Sequence, residues 1–400
     1  MQITDRQKED QLTPILRQAF RPLFLLGAGF SALAILLWGL TLAGKISLPV
    51  YGNSIFWHSH EMLFGFVVAI VLGFLLTAVQ NWTGLRAPHG NTLLILCVLW
   101  AAARLCFLFG SQLPWWLVVA VDISLLPVAA FLFGRMVLKV KQTRNLFFIP
   151  ILLLLTVCNL QMHYGLHFQH YNMQLLGAYN TVFLVTILMA IIGGRVMPMF
   201  TANGTMTAKV QPILWLERIA LMSLWFIFVV HFLNLHIHLP NSVMAFLFAV
   251  AALAAGIRGA RWKIWVTWRV PLLWSLHIAY WFIPIGMALF ALHYAGFQLT
   301  QSIAMHALTV GAMGGMILSM IARVSLGHSG RPLQPKLIMS GAFLLVILAV
   351  LMRVLLTWLV PEMTSQWLMF STLTWVLAYG IYVVVYFNVL TTPRADGNPG

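Results

Sequence analysis

Long runs of apolar residues, separated by short polar segments, follow one another along the whole chain. Each run has about the 20 residues that an α-helix needs to cross a bilayer, and the separating segments contain charged residues, Pro, Gly or Asn. The pattern predicts an all-α polytopic membrane fold, with a single integral membrane domain over residues 1–400. The twelve predicted spans are 22–43, 58–81, 92–111, 114–137, 146–165, 172–194, 212–234, 241–257, 270–293, 300–322, 337–358 and 365–389.

The composition agrees with a bilayer as the surroundings. Of the 400 residues, 61% are hydrophobic and 8% are charged, whereas a soluble domain carries about 25% charged residues. In a soluble protein a net charge of +15 would suggest nucleic-acid binding, but here most of the basic residues lie in the tails, in the loops or near the ends of the spans. We therefore expect the lipid bilayer as a partner and no nucleic acid. The cysteines lie in apolar runs without a C-x-x-C pattern, which argues against zinc ribbons and c-type haem.

The basic residues predict the orientation of the chain. When alternate loops are assigned to opposite sides, 20 of the 23 Lys and Arg residues fall on one side and only Lys45 falls on the other. The remaining two, Arg104 and Arg353, lie within spans. The positive-inside rule makes the basic side cytoplasmic. We expect both termini to be cytoplasmic, with residues 1–18 and 392–400 as tails that are free to be disordered.

Ionisable side chains within the predicted spans are candidates for function, because a charged group inside a bilayer is costly. Arg104 in the third span and Asp122 in the fourth are equally far from the loop that joins the two spans. Their matched depth predicts a buried ion pair. The alternative is that Arg104 pairs with the carboxylate of a bound cofactor.

Two histidines occupy equivalent positions on the second and tenth spans, which run in the same direction. His60 precedes Gly84 by 24 residues, and His306 precedes Gly330 by 24 residues. Apolar residues continue the histidine face of each helix, while small residues lie on the opposite face. The two apolar faces would form a narrow apolar space with one imidazole on each wall. Haem b, held by two axial imidazoles, suits such a space, so His60 and His306 are its candidate ligands. The spacing alone leaves open that the two side chains only face each other across a helix interface.

His58 is a candidate for a separate metal site, because two residues along a helix point to nearly opposite sides. The intramembrane histidines available as its partners are His163, His231 and His277. Three or four nitrogen ligands of this kind would suit copper.

Several longer motifs resemble the signature of the NnrS family. They are Trp57 to Met62 (WHSHEM), Gly73 to Ala78 (GFLLTA), Asn81 to Gly84 (NWTG), Gly193 to Val196 with Pro198, Phe200-Thr201, and the stretch from His306 to Pro332. The resemblance extends from Arg21 to the last span, with Ser329 where the family pattern leads us to expect Thr. It implies a bacterial inner-membrane protein that contains haem and copper. It also implies a part in the response to nitric oxide and in protection from nitrosative stress.

The resemblance leaves the biochemical activity open between three alternatives. The first is a haem protein that binds nitric oxide and reduces or otherwise transforms it, with electrons from a quinol or a cytochrome. The second is a non-catalytic nitric oxide sensor or assembly factor, and the third is a twelve-helix secondary transporter. The layout is also similar to the core subunit of haem-copper oxidases. However, the sixth span carries Tyr179 and Asn180 instead of a histidine, and the seventh carries only His231, which argues against an oxidase-type binuclear centre.

Overall fold

The computed structural model describes residues 6–398, so residues 1–5 and 399–400 of the predicted tails lie outside the described part. Within residues 6–398 there are helices and no strands. Twelve helices are long and apolar enough to cross a membrane, as the sequence predicts. The chain is therefore an all-α, multi-pass membrane protein. In chain order, helices α1 to α12 are Phe20–Leu42, Ser54–Thr83, Gly90–Leu108, Trp115–Lys139, Thr143–His167, Tyr171–Thr205, Leu214–Phe232, Asn241–Val266, Pro271–Tyr294, Gln301–His328, Leu337–Leu359 and Pro361–Thr391.

Helix α6 extends well beyond its predicted end at residue 194 and continues to Thr205. Pro198 removes one backbone hydrogen bond from this helix, which is why its sequence resembles a break. The guanidinium of Arg258 on α8 lies against Gly194, where another residue would place its Cβ. Arg258 Nη1 donates to the carbonyl oxygen of Ala190 over 2.8 Å. The Ala190 carbonyl lies two turns before Pro198, so Arg258 packs against α6 ahead of the proline.

The chain divides into two compact units. Unit 1 consists of Met1–Ala178, Ile321–Leu333 and Tyr379–Gly400. Unit 2 consists of Tyr179–Met320 and Gln334–Ala378. Within each unit, helices that follow one another in sequence pack side by side, such as α3, α4 and α5 in unit 1 and α7, α8 and α9 in unit 2.

Parts of both tails contact the helices of unit 1. Glu9 and Arg17 are buried, and Arg86 forms an ion pair with Glu9. Near the other end of the chain, the backbone N–H of Ala395 donates to the carbonyl oxygen of Ser329 over 2.9 Å. These contacts hold the described parts of the two tails against unit 1, and their cytoplasmic location stays a prediction.

Helices α2 and α10 begin and end in the same way. Their N-caps are Asn53, whose side chain accepts from the Phe56 N–H, and Thr300, whose hydroxyl accepts from the Ile303 N–H. Each cap satisfies a backbone donor that the first turn leaves without a partner. At the other end, Gly84 and Gly330 have left-handed backbone with φ of +68° and +70°. Glycine adopts this conformation without strain and so terminates both helices.

Both helices also change from α to π geometry directly after the predicted haem ligands. His60 is followed by the π segment Glu61–Val67, and His306 by the π segment Ala307–Gly314. Such segments are rare and often mark functional sites, because the extra residue shifts side chains around the helix. In α2, the indole N–H of Trp100 on α3 donates to the carbonyl oxygen of Gly65 over 2.8 Å. This bond fixes α3 beside the π segment of α2.

Candidate metal centre in unit 1

A buried cluster of polar side chains lies at the end of unit 1 that carries the loop of residues 43–53. Four consecutive helices contribute to it, and each of its six members is at most 6% exposed. Because ionisable groups in membrane helices are costly, their concentration at one place indicates a function. The members are His60 and Glu61 from α2, Arg104 from α3, Asp122 from α4, and Asn159 and His163 from α5.

The carboxylate of Asp122 is the centre of the cluster. Its Oδ1 accepts from Arg104 Nη2 over 2.6 Å, which confirms the ion pair predicted from the matched depths of the two residues. Its Oδ2 accepts from Asn159 Nδ2 over 2.7 Å. The same oxygen lies 3.0 Å from His60 Nε2 and 3.2 Å from His163 Nε2. Asp122 therefore links all four helices of the cluster.

Glu61 supplies a second carboxylate to the cluster. Its Oε1 lies 3.2 Å from His60 Nδ1, and its Oε2 lies 3.1 Å from Arg104 Nε. Arg104 thus has two carboxylate partners within the chain, which leaves less need for the carboxylate of a cofactor. With both carboxylates ionised, the cluster carries two negative charges and one positive charge. One further positive charge, on a histidine or on a bound ion, would balance the site.

His60, Asp122 and His163 are placed as the ligands of a metal ion would be. One ligand atom from each lies within 4.8 Å of the other two. The nitrogen-to-oxygen distances of 3.0 and 3.2 Å are close to the ligand separations around an ion with bonds of about 2 Å. His60 also has the second partner that a metal-bound imidazole usually has, because its Nδ1 faces the Glu61 carboxylate. The donor set therefore fits a transition-metal ion.

Aromatic side chains surround the cluster. Phe107 stacks on the ring of His60 with centroids 4.4 Å apart, and the rings of Phe56 and Phe64 lie 5.3 and 5.0 Å from it. Tyr51, from the loop of residues 43–53, lies 5.8 Å from the ring of His163. Burial, with the negative charge of Asp122, raises the pKa of Tyr51 to about 12, so its phenol is neutral at physiological pH. This shell excludes water and strengthens the interactions inside.

The surroundings of His60 do not fit a haem on its Nε2 atom. That nitrogen is within hydrogen-bond distance of both Asp122 and Asn159 Oδ1, the latter at 2.9 Å. The cavity beside the cluster, lined in part by Trp100 and Leu125, has a volume of about 10 Å³. Such a volume holds about one water molecule. A porphyrin would need these side chains to move apart.

The other histidines predicted as ligands have different contacts. His58 lies on the other side of α2 from His60, as predicted, and stacks on Trp38 with ring centroids 4.4 Å apart. In unit 2, His277 Nε2 lies 2.8 Å from the hydroxyl oxygen of Thr201. His231, also in unit 2, stacks on a neighbouring histidine. Of the histidines that the sequence offered as partners for His58, His163 joins His60 instead.

His306 lies in unit 2, in the first turns of α10. Its Nδ1 lies 2.7 Å from the carbonyl oxygen of Ser302, so Nδ1 carries the proton and Nε2 is the nitrogen with a lone pair. Nε2 accepts from Arg353 Nη2 over 3.3 Å, and Arg353 belongs to another π segment, Leu351–Leu356. The pairing of His60 with His306 about one haem stays a prediction.

Three members of the cluster are not predicted from the sequence as parts of a metal site. The sequence predicts only the ion pair with Arg104 for Asp122, and it indicates no site role for Glu61 or Asn159. One signal was present for Asn159, which precedes His163 by four residues and so lies on the same face of α5.

The whole cluster lies within a segment that matches a known family. Residues 14–394 match the model of the NnrS protein family. The chain belongs to the NnrS family. The match covers nearly the entire chain and confirms the resemblance that the motifs indicate. Membership of the NnrS family supports a role in the response to nitric oxide in general. A comparison with curated proteins gave no match.

Proposed function

We propose that this NnrS family member is a bacterial inner-membrane protein that contains haem b and copper, binds nitric oxide and protects the cell from nitrosative stress. The observation that carries the proposal is the grouping of His60, Asp122 and His163 within coordination distance of one another. We assign copper to these three residues. Haem b follows from the family resemblance, with His306 as a candidate ligand.

The chemistry of the donors favours copper over other ions. Two imidazoles and one carboxylate suit copper, zinc, iron and nickel, and among divalent ions copper binds such ligands most tightly. The charge of the cluster favours copper further. Glu61 and Asp122 exceed the charge of Arg104 by one, so a monovalent copper ion would neutralise the buried site.

The protein residues would hold and shield such an ion. Glu61 orients His60 through Nδ1, and Arg104 holds Asp122 through Oδ1, so that Nε2 and Oδ2 face each other. The aromatic shell keeps water away, and nitric oxide, a small neutral molecule, can still enter through apolar surroundings. Copper in this place would supply an open coordination position for nitric oxide and a one-electron couple.

The test of this proposal is the metal and haem content of the purified protein with and without nitric oxide. We expect a Soret band, bound copper, and a spectral change when nitric oxide is added under anaerobic conditions. The copper assignment predicts that His60→Ala loses copper. Since His306 is the candidate haem ligand, His306→Ala should lose or convert the low-spin haem spectrum. A protein with neither haem nor copper, or with no response to nitric oxide, would contradict the proposal.

A second measurement separates an enzyme from a sensor. A nitric oxide electrode would follow the reduced protein, anaerobically, with a quinol or a reduced cytochrome as electron donor. Continuous consumption would identify a nitric oxide reductase or another nitric-oxide-transforming oxidoreductase. Binding of about one equivalent without further consumption would identify a sensor.

A further inference from the structure

Basic and aromatic side chains lie together at one end of unit 2, where α7 begins, α8 ends and α9 begins. Two segments contribute them, residues 206–218 and residues 261–269. The segments are joined by a hydrogen bond, in which Arg261 Nη2 donates to the carbonyl oxygen of Gln211 over 3.1 Å. We call the set the basic-aromatic surface, and all its members are at least partly exposed: Lys209, Trp215, Arg218, Arg261, Lys263, Trp265, Trp268 and Arg269.

The positive charge of the basic-aromatic surface is not balanced by acidic residues. Five of its eight members are Lys or Arg, whereas unit 2 contains only two acidic residues, Glu217 and Glu362. Glu217 pairs with Arg258, which is not a member of the surface, at 2.6 Å. Glu362 lies in the first turn of α12, on the opposite side in the predicted orientation. The five cations therefore repel one another unless an anionic partner lies against them.

Three exposed tryptophans accompany these cations. Trp265 and Trp268, between α8 and α9, are 61% and 59% exposed, and Trp215 at the start of α7 is 60% exposed. Tryptophan is enriched where membrane and water meet, because its ring is apolar and its N–H can bind polar groups. The surface thus combines apolar rings with cations, as the headgroup region of a bilayer requires.

The segment that presents Trp265 and Trp268 is held in place by residues that alternate with them. Trp262 is 3% exposed, and its ring lies 4.5 Å from the ring of Tyr280 on α9. Thr267, between the two exposed tryptophans, is completely buried. Because these residues anchor the segment, the exposed rings lose little conformational freedom when a ligand binds.

We infer that the basic-aromatic surface binds an anionic phospholipid of the leaflet that the predicted orientation makes cytoplasmic. Its Lys and Arg side chains bind the phosphate, and its tryptophan rings lie beside the start of the acyl chains. Clusters of basic residues next to membrane helices bind anionic lipids in this way. A free phosphate ion would satisfy the cations but would leave the three rings without an apolar partner. The inference goes beyond the proposed function and does not depend on haem or copper.

A segment of unit 1 provides a matched comparison. Residues 135–144 lie on the same side in the predicted orientation and contain Arg135, Lys139, Lys141 and Arg144, but no tryptophan. The positive-inside rule accounts for such a segment without a bound lipid. If charge alone attracted anionic lipid, this segment and the basic-aromatic surface would bind it equally.

The test is native mass spectrometry of the purified full chain in mild detergent with equal amounts of phosphatidylglycerol and phosphatidylcholine. We expect the parent to retain phosphatidylglycerol in preference to the neutral lipid. Lys263→Gln combined with Arg269→Gln should weaken this binding roughly 30-fold, or about fivefold for each charge removed. Lys139→Gln combined with Lys141→Gln removes two charges from the unit 1 segment and should bind phosphatidylglycerol as the parent does.

Trp265→Ala combined with Trp268→Ala distinguishes a lipid from a free anion. Both rings are exposed, so this variant should stay folded, which size-exclusion chromatography and the Tm verify. We expect it to lose phosphatidylglycerol although all its cations remain, and we expect added inorganic phosphate not to displace the lipid from the parent. The inference is overturned if the parent retains both lipids equally, or if the unit 1 control loses as much lipid as the Lys263 and Arg269 variant. It is also overturned if the tryptophan variant binds phosphatidylglycerol as the parent does, or if inorganic phosphate displaces the lipid.

Discussion

Replacement of Asp122 by Asn should destabilise the protein, because it removes the charge that balances Arg104. The two side chains meet at 2.6 Å and are 2% and 7% exposed. Loss of one partner from a buried ion pair costs about 3 to 5 kcal/mol. Glu61 lies 3.1 Å from Arg104 Nε and continues to compensate part of its charge. We therefore expect the lower limit, about 3 kcal/mol, which is a roughly 150-fold change in the folding equilibrium.

The assay is thermal unfolding in detergent of protein treated with a chelator, so that metal binding does not contribute. Asp122→Asn should lower the Tm clearly, and the addition of Glu61→Gln should lower it further, because Arg104 then keeps no carboxylate partner. Glu217→Gln is the control, since Glu217 pairs with Arg258 but is 24% exposed, and the loss of a partly solvated pair costs less. The reasoning is refuted if Asp122→Asn is as stable as the parent, or if the addition of Glu61→Gln lowers the Tm no further.

Three further predictions follow from other parts of the structure. Reporter fusions after residues 140 and 168 should give opposite signals, and equal signals would remove the basis for the twelve-span orientation. The difference spectrum between the parent and Tyr51→Phe should show a phenol that ionises near pH 12 instead of 10. Because the pKa of Tyr51 is raised in the folded state, the contribution of its neutral phenol to stability is complete below pH 10 and is lost as the pH rises through 12. Gly194→Ala should destabilise unit 2 by about 1 to 3 kcal/mol in thermal unfolding, because the new Cβ would lie 2.7 Å from Arg258 Cζ. An unchanged Tm would contradict this prediction, because it would show that the guanidinium moves aside without cost.

The sequence was sufficient to predict the twelve helices, because the length of an apolar run is a strong and local signal. It did not predict the continuation of α6 past Pro198, because a proline after two glycines is typical of a helix end, although it removes only one backbone hydrogen bond from a helix that continues. It also did not predict the π segments after His60 and His306. A π segment differs from an α-helix by about one residue per turn, and the hydrophobic pattern of an almost wholly apolar helix does not record such a shift.

The candidate site was predictable only in part, for a similar reason. Arg104 and Asp122 could be paired because depth in the membrane follows from distance to a shared loop. The contact of His163 with Asp122 depends instead on which face α5 turns toward α4. That rotation is poorly encoded in a helix such as Phe148–His167, which is apolar on most sides. Depth can therefore be read from the sequence, whereas the choice among histidines at similar depth required the structure.

The central claim, that His60, Asp122 and His163 bind copper, is tested most directly by the copper content of purified His163→Ala. The matched control is His167→Ala, which changes an exposed histidine one turn further along α5. The variants should be loaded identically, and each result should be compared with the parent. The account predicts that His163→Ala contains about one copper ion per chain less than the parent, while His167→Ala contains the same amount. Equal copper in His163→Ala and the parent would contradict it.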